Sequence, residues 1–228
     1  MSARHFCIPG LFILFCAFIL SLLVTISLPA LPALDIVRTK FTGGTADVSS
    51  VQGGVSELRF GIWAYCAYTG GDRSCIARGH GYGVGVSSNG QSEDISGGWT
   101  RGLAVHPAAT IVTFVALLAG CSTHMTFMLL ASILSFLAAL LTLIAFAIDI
   151  ALFVNVHNTM DNFNNLRVNT DAGPGFWITL VVFILLLLSG CTVCFGRRRQ
   201  RMSGATATTY PEKPGILSRF RRRRGTTV

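Results

Sequence analysis

Two cysteines with spacing that permits a cross-link, Cys66 and Cys75, are the first candidates for chemistry in this sequence. They lie nine positions apart in a polar, glycine-rich stretch, and Cys66 ends the segment FGIWAYC, which contains Gly61 and Trp63. No CxxC spacing is present there, which favours a structural disulfide over a redox-active pair if the stretch lies in an oxidising compartment. Such a bond closes a short loop and contributes roughly 2–3 kcal/mol to stability. The alternation of apolar and aromatic side chains along the segment predicts a strand, and its tryptophan is of the type that anchors at a bilayer surface.

Proton chemistry has four candidates, of which Asp149 is the most distinctive. It is the one acid inside the apolar blocks, where a carboxylate costs about 2.5–3.5 kcal/mol at mid-helix. Snorkelling or a hydrogen bond to a neighbouring helix is favoured over contact with a partner's span or proton relay. His80, His106 and His157 are predicted to face outside as ordinary histidines, able to titrate near neutral pH. Their scatter predicts no metal site.

Cys191 and Cys194 form a second cysteine pair, next to a cluster of arginines. Two thiols are half of a zinc site, and no further Cys or His follows them. At the inner edge of a membrane they are candidates for palmitoylation, with simple packing as the alternative.

The basic residues are concentrated near the chain ends, which hold eleven of the 18 Lys and Arg. A basic protein is often a nucleic-acid binder, but here the bases adjoin apolar blocks, so membrane topology explains them better. They predict a patch on anionic inner-leaflet lipids, at about 1 kcal/mol per base; a solvated charge run is the alternative. The patch comprises Arg197, Arg198, Arg199, Arg201, Arg219, Arg221, Arg222, Arg223 and Arg224.

The elements that must position these residues are apolar helices. Hydrophobic residues make up 51% of the chain and charged residues 12%, half the charged share of a typical soluble domain. The apolar residues fall into four blocks of membrane-spanning length. The predicted spans are about 8–28, 104–120, 127–154 and 176–195. A cleaved signal peptide is the alternative for the first block, which is longer than a signal's apolar region.

The flanking charges set the predicted topology. Lys and Arg are enriched on the cytosolic side of membrane proteins, so both termini are predicted to be cytosolic. The outer loops are then 35–103 and 155–175, residues 1–196 form the membrane domain, and 197–228 form a basic disordered tail. The predicted fold class is an all-α four-helix membrane bundle with a small disulfide-linked outer domain that contains β-structure. Ala131, Ser135 and Ala139, at four-residue spacing, predict close helix packing.

Several blocks together carry a family resemblance. The GIW-x-x-C-x8-C element in the first outer loop resembles the claudin superfamily, and the FG-x-x-x-YC element more closely resembles the fungal PalI family. Four further blocks also resemble PalI: LAVHP at 103–107, TLIAFAIDIALF at 142–153, TDAGPGFW at 170–177 and LSGCTVCFGRRR at 188–199. The resemblance covers about residues 1–203 and implies a role in ambient-pH signalling and plasma-membrane organisation.

The expected function is therefore that of a non-enzymatic plasma-membrane protein that supports a multi-span pH sensor at the cell surface. The alternative is a structural organiser of membrane domains or cell-wall contact, as in claudin-like relatives. A channel or transporter is disfavoured because the spans carry little polar surface. The sequence contains no phosphate-binding glycine loop and no Ser/His/Asp set, so no cofactor, small-molecule substrate or nucleic acid is expected. The expected partners are the bilayer and, by resemblance, the sensor.

Overall fold

The computed structural model describes residues 4–42, 44–77, 79–88, 90–122, 125–163 and 167–207. Side chains are not described for 4–8, 125 and 193–207. The helices are α1 (Arg4–Ala30), α2 (Gly97–Arg101), α3 (Val105–Gly120), α4 (Met125–Asp161) and α5 (Pro174–Ala207), with a 3-10 turn at Gly102–Ala104. The strands are β1 (Val37–Thr42), β2 (Asp47–Val48), β3 (Glu57–Phe60), β4 (Ala64–Thr69), β5 (Asp72–Ala77), β6 (Val84–Ser88), β7 (Gln91–Ile95) and β8 (Arg167–Ala172).

Within the described residues, 4 helical stretches are long and apolar enough to cross a bilayer. A span needs about 20 mainly apolar residues, and these stretches run over Pro9–Ala30, Gly97–Gly120, Thr126–Asp161 and Pro174–Thr192. The four long helices form a ring in which α1 and α4 each pack against both α3 and α5. The predicted four-helix membrane fold is confirmed.

Small side chains and serine hydroxyls hold the bundle together. Ala131, Ser135 and Ala139 are all buried, and the Ser135 hydroxyl donates to the carbonyl oxygen of Leu186 on α5 at 3.1 Å. Small residues allow helices to approach closely in a membrane. The predicted packing role of this stripe is confirmed.

A sheet domain lies at one end of the bundle and has two antiparallel sheets. One sheet has the strand order β5-β4-β3-β1-β8 and the other the order β2-β6-β7. β8, which follows α4 in the chain, pairs with β1 along its whole length. The chain segments before α3 and after α4 therefore form one domain.

The last turns of α4 belong to the core of this sheet domain. Leu152, Val156 and Met160 are fully buried and pack in one cluster with strand residues such as Leu58 and Ile95. The helix therefore continues to Asp161, beyond the apolar block from which its span was predicted, because its final turns are covered by the sheets.

The strand predicted over FGIWAYC is right at both ends of the segment and wrong in the middle, because 61–63 form a turn between two strands. β3 ends at Phe60, β4 begins at Ala64, and the Gly61 amide donates to the Ala64 carbonyl at 3.0 Å. Burial gives no sign of the turn, because every residue from Phe60 to Cys66 is buried except the half-buried Trp63. A second tight turn, with positive φ at Gly70 and Gly71, joins β4 to β5, as expected for a two-residue hairpin.

Candidate functional site

The turn between β3 and β4 supplies a hydrogen bond that the backbone of α1 lacks near its C-terminal end. The helix breaks at Ser27 and Leu28, which have non-helical backbone angles. Pro29 has no N–H, so the carbonyl of Thr25, four residues earlier, loses its helical donor. The Trp63 indole N–H donates to that carbonyl oxygen at 2.6 Å. A side chain of the sheet domain thus replaces a backbone hydrogen bond of α1.

Gly61 allows the turn to approach the helix this closely. A Cβ added to Gly61 would lie 2.6 Å from the Leu28 Cβ, a distance that real Cβ atoms do not reach. The Gly61 carbonyl accepts a 2.6 Å hydrogen bond from the hydroxyl of Tyr82. Burial raises the pKa of the Tyr82 phenol, so the hydroxyl stays a donor at physiological pH. The two residues singled out in the sequence motif, Gly61 and Trp63, both lie at this contact.

The disulfide covers the same break in α1. Cys66 and Cys75 are directly opposed on β4 and β5, are bonded, and have Cα atoms 4.0 Å apart. Both pack with Leu28 and Ala64 in a small apolar cluster. The predicted disulfide is confirmed, and it braces the hairpin that lies on Leu28.

Beside this contact, α3 and α4 are joined by a buried pair of ionisable side chains. The His106 Nε2 and the Asp149 Oδ1 are 3.0 Å apart, and the two side chains are 6% and 0% exposed. The expectation of an ordinary, exposed histidine is wrong for His106: it is buried on the first turn of α3, where Asp149 supplies a hydrogen-bond partner. Asp149 therefore makes a hydrogen bond to a neighbouring helix, which is one of the two roles that the sequence favoured for it.

A hydroxyl cluster continues the polar contacts from His106 to α1. The Thr110 hydroxyl donates to the His106 carbonyl oxygen at 3.0 Å. Its oxygen lies 2.6 Å from the Ser21 hydroxyl and 2.8 Å from the Thr25 hydroxyl. Each hydroxyl avoids the cost of an unpaired buried polar group. Together with Trp63 and Asp149, these residues form what we call the junction site, which links the sheet domain, α1, α3 and α4.

Of the other candidate histidines, His80 contacts the edge of this site through Trp63, and His157 pairs elsewhere. The exposed His80 ring packs on the Trp63 ring at a centroid distance of 4.4 Å. His157 is exposed on α4, one turn from Asp161 and 3.5 Å from its carboxylate. Among the described residues no group of three or more His, Cys, Asp or Glu could hold a metal ion.

The predicted lipid-contact residues lie at the far end of the chain. Cys191 is an exposed thiol on α5, and its palmitoylation stays a prediction. The remaining members of this group have side chains outside the described part: Cys194, Arg197, Arg198, Arg199, Arg201, Arg219, Arg221, Arg222, Arg223 and Arg224.

Sequence reasoning missed the pairing of His106 with Asp149 and the role of Pro29. The signal for the second was present, since a proline four residues after Thr25 leaves a free carbonyl. For the first, each residue lies in one of the blocks noted above, but nothing in the sequence indicates that the two blocks face each other.

The sequence matches the SUR7/PalI family over residues 6–189, which include most of α1, all of α3 and α4, the first part of α5, and the junction site. This chain belongs to the SUR7/PalI family. It is 29% identical over 220 residues to a Yarrowia lipolytica protein named "pH-response regulator protein palI/RIM9". The match covers 92% of this chain but 26% of that relative, so the chain spans about a quarter of the relative's length.

Proposed function

We propose that this member of the SUR7/PalI family is a non-enzymatic plasma-membrane protein that supports a multi-span sensor of ambient pH at the cell surface. The family match and the pH-response name of the Yarrowia lipolytica relative support the role. The charge distribution supports cytosolic termini. The sheet domain then lies outside the cell.

The attachment of the sheet domain to the bundle is the observation that carries the proposal. The indole of Trp63 bonds to α1, and the final turns of α4 enter the sheet core. Two interlocked parts of this kind hold an outer surface in a fixed place relative to four spans. A protein that acts by lateral contact needs such rigidity, because a preorganised surface loses less entropy on binding.

Lipid contact is the second part of the proposal. Large apolar side chains such as Ile111, Leu140 and Leu188 are exposed on the outside of the bundle and would face acyl chains. The basic residues at the end of α5 and after it would lie on the anionic inner leaflet, and acyl chains on Cys191 and Cys194 would add to this anchor.

Deletion of the gene, followed by growth at neutral and alkaline pH, tests the proposal. We expect growth to fail at alkaline pH and to return when the chain is expressed again. A normal alkaline response together with altered plasma-membrane patches would instead favour a structural organiser of membrane domains. A deletion strain with neither defect would contradict both functions.

A further inference from the structure

The His106–Asp149 pair stands out because only half of the carboxylate has a partner. Oδ1 lies 3.0 Å from the imidazole Nε2, whereas Oδ2 is buried without a hydrogen-bond partner among the described residues. An ionised carboxylate that is removed from water needs both a countercharge and hydrogen bonds. The imidazole of His106 is the side chain in hydrogen-bond contact with this carboxylate that can carry a positive charge.

Charged groups also occur on the elements packed against α3 and α4. In the part of the chain that the structure describes, none of them bonds to either member of the pair. Arg38 on β1 is already paired with Asp35. The α1 side chains at this level are hydroxyls. The remaining charged or titratable groups on these elements are Arg101 (α2), Lys40 (β1), Glu93 and Asp94 (β7), Arg167 and Asp171 (β8), His157 and Asp161 (outer end of α4), and Cys16 (α1) and Cys191 (α5).

We infer that His106 and Asp149 form a proton-linked clasp between α3 and α4, at the end of the bundle that carries the sheet domain. With one shared proton the pair is neutral overall and holds the two helices together. When that proton passes to solvent, the buried carboxylate keeps its charge and loses its countercharge. Breaking a buried pair in this way is strongly destabilising. Histidine is the side chain that changes charge between about pH 5 and 8, so the clasp should loosen as the pH becomes alkaline.

The clasp lies close to contacts that connect the start of α3 to the sheet domain, so a change in the packing of α3 against α4 would affect that domain. A Cβ on Gly102, four residues before His106, would lie 2.9 Å from the Cγ2 of Ile148, the neighbour of Asp149. The Thr100 hydroxyl then donates to the carbonyl of Tyr82 at 2.7 Å, and the Tyr82 hydroxyl bonds to Gly61. The start of α3 is therefore tied to the turn that holds Trp63. The link to pH signalling rests on the proposed function, but the clasp itself does not.

The test uses the full chain in lipid nanodiscs, with its histidines labelled with ¹⁵N for NMR. The imidazole signal that is lost in His106→Gln should change from the protonated to the neutral form between pH 5 and 9. In Asp149→Asn, which keeps a hydrogen-bonding side chain without the charge, that change should occur at a different pH. A signal that keeps one form throughout, or that is indifferent to Asp149→Asn, would overturn the clasp.

Thermal unfolding across the same pH range is the second readout. The wild-type midpoint should fall by roughly 5 °C or more between pH 6 and 8.5, and the double variant His106→Gln/Asp149→Asn should not show this fall. His157→Gln is the matched control, since that histidine forms an exposed pair with Asp161 and should leave the fall unchanged. An equal fall in the double variant would refute the clasp. Normal alkaline growth of the deletion strain would refute the proposed function alone.

Discussion

Replacing Trp63 with phenylalanine tests whether the sheet domain is held on α1 by the indole N–H. Phenylalanine keeps an aromatic ring against His80 but cannot donate to the Thr25 carbonyl, which Pro29 leaves without a helical donor. A polar group left unsatisfied at a fully buried position costs roughly 1–3 kcal/mol, and this bond is part-buried, so we expect a loss of about 1–2 kcal/mol. Since a domain of this size loses about 2–4 °C in melting temperature per kcal/mol, the midpoint should fall by roughly 2–8 °C.

The assay is thermal unfolding of the purified full chain in detergent, with the folded fraction measured by size-exclusion chromatography after heating. Trp99→Phe is the matched control because Trp99 is 44% exposed. Surface substitutions usually change stability by no more than about 0.5 kcal/mol, so this control should melt within about 2 °C of the wild type. Equal midpoints for Trp63→Phe and Trp99→Phe would show that the indole bond to Thr25 does not hold the domain, and the reasoning would fail.

Three further predictions concern the turn, the disulfide and the tail. Gly61→Ala should lower the melting temperature more than Gly98→Ala, because its Cβ would collide with Leu28 whereas the Gly98 Cβ would meet nothing closer than 3.6 Å; equal midpoints would contradict the close approach. Cys66→Ser/Cys75→Ser should lower stability by roughly 2–3 kcal/mol, measured as a lower midpoint that matches that of the reduced wild type; an unchanged midpoint would contradict this. Liposome binding of a peptide with the sequence of the tail, 197–228, should need anionic lipid and should weaken as the salt concentration rises. It should also fall when the distal arginines are replaced with glutamine. Binding that is insensitive to salt would favour a solvated or protein-binding charge run. The distal arginines are Arg219, Arg221, Arg222, Arg223 and Arg224.

The parts of the fold that were predictable are those decided by the local sequence, such as the insertion of an apolar segment into a bilayer. Long apolar blocks have no alternative but to form helices in a bilayer, so the four-helix class follows directly from the sequence. The disulfide was predictable as well, because Cys66 and Cys75 are close in sequence and lie together in a polar stretch. The small residues on α4 also indicated a packing face correctly.

The junction between the two parts was not predictable, because it depends on contacts between distant segments. Trp63 and Thr25 are 38 residues apart, and His106 and Asp149 are 43 residues apart. Propensity and periodicity describe one element at a time and do not specify which elements meet. The same limit explains why the strand prediction over FGIWAYC missed the turn at 61–63: apolar and aromatic side chains indicate burial, but not that the chain reverses between them.

We propose above that this chain keeps another multi-span protein at the cell surface. Quantitative mass spectrometry of surface-biotinylated proteins tests it most directly, comparing the deletion strain with the same strain expressing either the wild-type chain or Gly61→Ala. We expect the surface amount of at least one other multi-span protein to fall several-fold in the deletion strain. It should return with the wild-type chain and return less fully with Gly61→Ala. Unchanged surface amounts of every other multi-span protein, in a deletion strain that fails to grow at alkaline pH, would contradict it.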